Sequence, residues 1–121
     1  MPENFFNIDG EGGILRTLAP GLVAQVFAGE QATVSIVRFE PGAKGKRHAH
    51  PQEQWGFCIE GSGTRHQGDA AVPVAKGDFW LTPGDVSHTF EAGPEGCVVI
   101  DVFAPARRDY ETPGEGFGSA S

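Results

Sequence analysis

Glycine and proline interrupt this sequence so often that it cannot form long helices. The 121 residues include 18 glycines and 9 prolines, and these separate apolar runs that are each about as long as one strand. Nowhere do apolar residues recur at the i, i+3, i+4, i+7 spacing of an amphipathic helix. The clearest apolar runs are residues 22–27, 33–39, 55–59, 79–81 and 97–103. The sequence therefore predicts an all-β domain of about eight to ten short strands, closed as a sandwich or small barrel.

Three glycine-containing segments, at residues 60–63, 75–78 and 83–85, are predicted as hairpin turns between these strands. The chain divides into a polar N-terminal arm (1–12), a single barrel domain (13–110) and a flexible C-terminal tail (111–121). The tail is assigned from its Gly, Ser, Pro and Glu content.

Charge and composition exclude several classes of protein. With 16 acidic and 9 basic residues, the net charge of −7 argues against binding to nucleic acid or to anionic lipid. No apolar run approaches the ~20 residues that span a bilayer, and the first residues do not resemble a signal peptide, so a cytoplasmic protein is expected. Two cysteines, Cys58 and Cys97, are too few for a disulfide framework and are predicted to be buried thiols.

The chemistry-bearing residues gather around the histidines. His48 and His50 are two residues apart, so on one strand their imidazoles would point to the same face. Gln54 keeps the same parity, and His88 follows a predicted turn from which it could close the site. The pattern predicts a site for one divalent metal ion.

These residues also carry a family resemblance. Residues 42–61 follow the pattern G-x5-H-x-H-x3-Q-x6-G, and residues 77–88 follow G-x5-P-x4-H, which resemble the two cupin motifs. The resemblance implies a double-stranded β-helix (a jelly-roll barrel) holding one divalent ion near its mouth. Three positions depart from the motifs: Gln54 replaces glutamate, Asp85 replaces glycine and Ala92 replaces asparagine.

The glutamine changes the expected chemistry. A site of His48, His50, Gln54 and His88 is neutral, which leaves more positive charge on a bound ion and makes it a stronger Lewis acid. Such a site favours non-redox chemistry, although it suits Zn, Ni, Fe or Mn about equally.

The sequence is also similar to a group of small cupins that includes the pectin-degradation cupins, which convert unsaturated uronates to linear keto sugars. The shared strings are H-x-H-P-x-E-Q at residues 48–54 and D-x-F-x-P-x-R-x-D-Y at residues 101–110. This resemblance implies that Asp101, Phe103 and Arg107 lie in the active site. Asp101 would move a proton, and Arg107 would hold a substrate carboxylate.

The fourth histidine, His66, leaves two alternatives. A three-residue loop at 61–63 would pair Cys58 with His66 and turn His66 inward, whereas a two-residue loop would turn it outward. Facing inward, it would add a further metal ligand, as in the cupin-type aromatic polyketide cyclases that the site would then resemble. Five aromatic residues are candidates for lining such a pocket: Trp55, Phe57, Trp80, Phe90 and Phe103.

These observations favour a metal-dependent, non-oxidative isomerase, lyase or cyclase acting on a small carbonyl compound such as an unsaturated uronate. The alternatives are a polyketide cyclase that uses His66, a metal-dependent dioxygenase, and a ligand-binding cupin without catalysis. The resemblance to small cupins also implies a homodimer.

Overall fold

The computed structural model describes residues 1–117 and consists almost entirely of β-strands. One three-residue 3₁₀ helix, Arg108–Tyr110, follows the seventh strand. No helix in this described part of the chain is long and apolar enough to cross a membrane. The strands are β1 (Ile14–Ala19), β2 (Leu22–Ala28), β3 (Thr33–Phe39), β4 (Glu53–Gln67), β5 (Ala70–Ala75), β6 (Phe79–Thr82), β7 (His88–Ala104) and β8 (Gly114–Glu115).

The strands form one hydrogen-bonded sheet in the order β5-β4-β7-β3-β2-β1-β8, with β6 also paired to β4. The predicted apolar runs fall within β2, β3, β4, β6 and β7, so the all-β prediction is confirmed. The turns predicted at 75–78 and 83–85 also lie between strands.

The predicted turn at residues 60–63 is wrong, because β4 continues through this segment. Cys58 pairs with Val99 of β7 and not with His66, and the chain reverses only after Gln67. The β4–β7 register shifts on both sides of Glu60–Gly61, which marks a β-bulge. Gly61 has φ +75°, and a Cβ there would lie 2.1 Å from the Gly96 carbonyl oxygen. Gly61 therefore allows a bulge within β4, where a side chain would clash, and does not mark a reversal of the chain.

Two apolar clusters form the core. One lies mainly between β1, β2 and the segment after β7, and the other lies between β4 and β7. Cys58 and Cys97 belong to the second cluster, are both unpaired, and have their sulfurs 3.6 Å apart. The prediction of two buried thiols is confirmed.

Burial of these thiols predicts low reactivity. It raises the pKa of Cys58, and it raises that of Cys97 to about 12. The reactive thiolate of both cysteines is therefore scarce at pH 8. We expect neither cysteine to react appreciably with iodoacetamide at pH 8 in the folded protein and both to react in denaturant, as measured by mass spectrometry. Rapid labelling of either folded thiol would contradict this packing.

Residues 111–117 do not form the predicted flexible tail. Gly114–Glu115 pairs in parallel with Arg16 and Thr17 of β1, and Phe117 is buried in the first core cluster. We call residues 111–117 the C-terminal strap. Its Gly and Pro content indicated disorder. The strap is ordered instead by hydrogen bonds from the buried side chain of Arg16, which lies far earlier in the sequence. Residues 118–121 of the predicted tail lie outside the described part.

Candidate metal centre

Three histidines converge inside the barrel. His48 and His88 pair through an isolated β-bridge, and His50 follows before β4 begins. One ring nitrogen from each of the three lies within 4.8 Å of the other two, and all three residues are buried. His48 and His50 thus precede β4 and do not share one strand as predicted, but their rings still meet.

Backbone carbonyls orient all three rings. Each Nδ1 lies at hydrogen-bonding distance from a carbonyl two residues away: 2.7 Å for His48 and Lys46, 3.1 Å for His50 and Gln52, and 2.8 Å for His88 and Val86. A carbonyl oxygen only accepts, so each Nδ1 carries a proton and donates it. In a neutral ring this leaves the Nε2 lone pair free, which is the form in which histidine binds a metal.

Burial keeps the rings neutral. It lowers the pKa of His48 to about 4 and that of His88 to about 2, and it also lowers the pKa of His50. Positive charge on Arg65 and Arg107 acts in the same direction. At neutral pH all three rings are therefore unprotonated at Nε2.

The polar atoms around the three rings fit a bound cation. His88 Nε2 is buried and has no hydrogen-bond partner. His50 Nε2 lies 2.9 Å from Gln54 Oε1, so two acceptor atoms face each other once Nδ1 holds the ring proton. A divalent ion would satisfy both the unpartnered nitrogen and this acceptor pair. The residues present therefore fit a metal site of three imidazoles and one amide oxygen.

Asp101 lies beside this centre. It stands opposite Gly56 of β4 and Ser35 of β3, and its carboxyl group accepts a hydrogen bond from Gln54. Its Oδ1 is buried without a hydrogen-bond partner. Burial raises the pKa of the Asp101 carboxyl, whereas Arg65, the Gln54 hydrogen bond and Arg107 act against this rise.

Phe103 and Arg107 also border the centre. The Phe103 ring lies 5.4 Å from that of His50, in an edge-to-face arrangement. The Arg107 guanidinium lies 5.1 Å from the Phe103 ring centre and 4.3 Å from that of Tyr110, and it donates to the Phe117 carbonyl. Its Nε lies 3.9 Å from Asp109. Arg107 is only 1% exposed, so it is an interior residue.

Sequence reasoning missed Arg65, which takes the interior position considered for His66. Arg65 pairs with Phe90 of β7, is buried, donates to Thr82 Oγ1 at 2.8 Å and lines the same cavity as His48 and His88.

Because side chains alternate along a strand, His66 points to the other face and does not join the histidine cluster. The expectation of His66 as an inward ligand depended on the turn at 60–63. Only the knowledge that residues 60–63 do not form a turn could have revealed Arg65 as an interior residue.

The five predicted pocket aromatics divide between the two faces of the sheet. Trp80, Phe90 and Phe103 line the cavity, whereas Trp55 and Phe57 lie on the outer face beside Phe79. The cavity is small, about 40 Å³, and Phe117 of the C-terminal strap also lines it.

Comparison with known proteins agrees with this geometry. Residues 35–103 match the family model described as Cupin domain. The chain therefore belongs to the cupin family, and its fold is the double-stranded β-helix implied by the two motifs.

Individual relatives give the same fold. An RmlC-like cupin from Shewanella frigidimarina is 28% identical, with a TM-score of 0.79 over 89% of this chain and 96% of that one. KdgF from a Halomonas species is 24% identical, with a TM-score of 0.78 over 91% of this chain and 99% of that one, a likeness that shows the fold alone.

Oxalate decarboxylase OxdC from Bacillus subtilis is 28% identical over an alignment of 98 residues, and the match covers 77% of this chain. The chain spans only 25% of that protein's length. A solved structure of the same decarboxylase is described as containing Mn(II) centres.

Proposed function

We propose that this cupin is a metal-dependent, non-oxidative enzyme that isomerises a small carbonyl compound bearing a carboxylate. The observation that carries the proposal is the set of three neutral imidazoles whose Nε2 atoms face one point beside a buried carboxyl group. His48, His50, Gln54 and His88 would hold one Zn, Ni, Fe or Mn ion. When bound, that ion would act as a Lewis acid towards a substrate oxygen.

The chain's own residues supply the remaining functions. Asp101 has a partner-free oxygen in the cavity, so it can take a proton from a substrate hydroxyl and return it to carbon. Gln54 orients the Asp101 carboxyl through its hydrogen bond. Phe103 packs against His50 and limits the space beside it.

Two buried guanidinium groups favour an anionic substrate. Arg65 lines the cavity beside His88, and Arg107 lies beside Phe103 and Tyr110. A substrate carboxylate would accept charge-assisted hydrogen bonds from these groups, in addition to the attraction that Asp109 gives Arg107 and Asp101 gives Arg65. A 4,5-unsaturated uronate meets this requirement. Its ring opening breaks the hemiacetal C–O bond and leaves an enol, and ketonisation then delivers one proton to carbon without changing the formula.

This reaction gives a direct test. The zinc-loaded protein, incubated anaerobically with a 4,5-unsaturated uronate, should consume the absorbance of the conjugated double bond and yield the linear keto sugar. Activity should disappear on metal removal and return with added metal. Turnover that requires O₂ would instead indicate a dioxygenase, and binding without any product would indicate a ligand-binding cupin.

The likeness to oxalate decarboxylase favours one second candidate, decarboxylation of a small dicarboxylate. Oxalate and malonate should therefore be included in the assay. Release of CO₂ from either one, with no change in the uronate, would select this second reaction.

A further inference from the structure

The cavity at the histidine cluster is too small for an organic substrate. Its volume of about 40 Å³ holds a few water molecules, since one water needs roughly 10–15 Å³ by this measure. Sites for small organic ligands are typically about 300–1,000 Å³. A substrate can enter only if part of the wall moves.

Phe117 is the wall residue best placed to move. Its ring centre lies 4.4 Å from that of the candidate ligand His48, and a Cβ at Gly45 would lie 3.2 Å from its Cζ. Phe117 therefore fills the space between His48 and the segment that leads to it. It belongs to the C-terminal strap and not to a strand of the barrel.

Arginine side chains hold the strap in place. Arg16 donates to three strap carbonyls: Thr112 at 2.9 Å, Glu115 at 2.8 Å and Gly116 at 2.9 Å. The paired strand of the strap is only two residues long. Segments with so few backbone hydrogen bonds open locally at lower cost than core strands.

Arg107 connects the strap to the cavity. Its Nη2 donates to the Phe117 carbonyl, while the aromatic rings of Phe103 and Tyr110 cover its guanidinium. When Phe117 leaves, this buried donor loses its acceptor. A carboxylate would replace a neutral carbonyl favourably, because charge-assisted hydrogen bonds are the stronger ones.

We propose that the C-terminal strap is a lid over the histidine centre, that Phe117 decides what enters, and that a carboxylate ligand opens it by displacing the Phe117 carbonyl from Arg107. The lid itself follows from the contacts of Phe117 and Arg16, whereas the identity of the ligand rests on the proposed function.

The test uses two strap variants with matched controls. Phe117→Ala removes the ring over His48, and Arg16→Gln removes the hydrogen bonds to the strap carbonyls. Phe6→Ala and Arg38→Gln are the controls. Phe6 of the N-terminal arm packs on Phe27, and Arg38 donates to the Ile8 carbonyl of the same arm, so each control changes a contact of the other terminal segment.

The first measurement is the rate at which excess chelator removes zinc from the loaded protein. Phe117→Ala should release zinc at least about tenfold faster than wild type, since losing a packed phenyl ring shifts a local opening equilibrium by more than this. Arg16→Gln should also release zinc faster, because the strap loses its three hydrogen bonds to Arg16. Both controls should release it at the wild-type rate. Equal rates in all five proteins would overturn the lid.

The second measurement does not require metal. Diethylpyrocarbonate should modify His48 of the metal-free strap variants faster than His48 of wild type, with His66 on the other face as the internal reference. If the protein binds no zinc, the proposed function fails, and these modification rates still test the lid.

If neither variant folds, amide exchange in the wild-type protein tests the lid. The Gly116 amide, bonded to the Thr17 carbonyl, should exchange well before amides between β3 and β7, and equal protection would overturn the lid.

The carboxylate step has its own readout. Galacturonate, a stable uronate, should accelerate amide exchange at Gly116 in wild type but leave it unchanged in Arg107→Lys, because a lysine ammonium cannot form the same paired hydrogen bonds. No acceleration in wild type would overturn this step while leaving the lid intact.

Discussion

Replacement of His88 by alanine is expected to abolish metal binding. His88 Nε2 is buried, has no hydrogen-bond partner and faces the two other rings, so its removal leaves two imidazoles and one amide. Loss of a residue that only supports a ligand costs about 10–100-fold in affinity, and loss of a ligand should exceed 100-fold. Metal analysis after dialysis should give about one ion per wild-type chain and close to none for His88→Ala.

His66→Ala is the matched control, because it removes the same side chain from the other face of β4. This variant should retain its metal and its chelator-release rate. Loss of metal from His66→Ala but not from His88→Ala would mean that the three-histidine cluster is not the metal site.

Replacement of Asp101 by asparagine is expected to stop turnover while leaving metal binding intact. The two side chains have nearly the same shape, but asparagine cannot accept and return a proton. General acid–base groups contribute about 10²–10⁴-fold to rate, and we expect a fall in kcat of that size with the unsaturated uronate. Metal content should stay near one ion per chain, because Asp101 is not among the proposed ligands.

Asp78→Asn provides the control for this change. The Asp78 carboxylate accepts a hydrogen bond from the Ala75 amide in an exposed turn, away from the cavity. Turnover should be unaffected in this variant. Equal kcat for wild type and Asp101→Asn would exclude Asp101 from proton transfer, and metal loss in Asp101→Asn would give it a role in holding the site.

The histidine centre could be predicted from the sequence because its information is local. His48 and His50 are two residues apart, and their orientation depends on carbonyls at Lys46 and Gln52, each only two residues away. Likewise, the short apolar runs predicted strands because each run carries its own boundaries. The cupin motifs added the spacing between these local pieces.

The parts that could not be predicted depend on distant contacts. Whether residues 60–63 form a turn or a bulge is decided by the β4–β7 pairing, in which Gly61 approaches Gly96. That pairing turns Arg65 inward and His66 outward. The order of the C-terminal strap depends on Arg16, about 100 positions earlier in the chain. Neither the β4–β7 pairing nor the contact between Arg16 and the strap can be inferred from local composition.

The most direct test of the metal centre is a crystal structure of the protein loaded with zinc or cobalt, analysed by anomalous scattering. One anomalous peak should lie about 2.0–2.1 Å from the Nε2 atoms of His48, His50 and His88, next to Gln54 Oε1. A peak bound elsewhere, or no peak after exposure to Zn, Ni, Fe(II) and Mn in turn, would contradict the metal centre and with it the proposed chemistry.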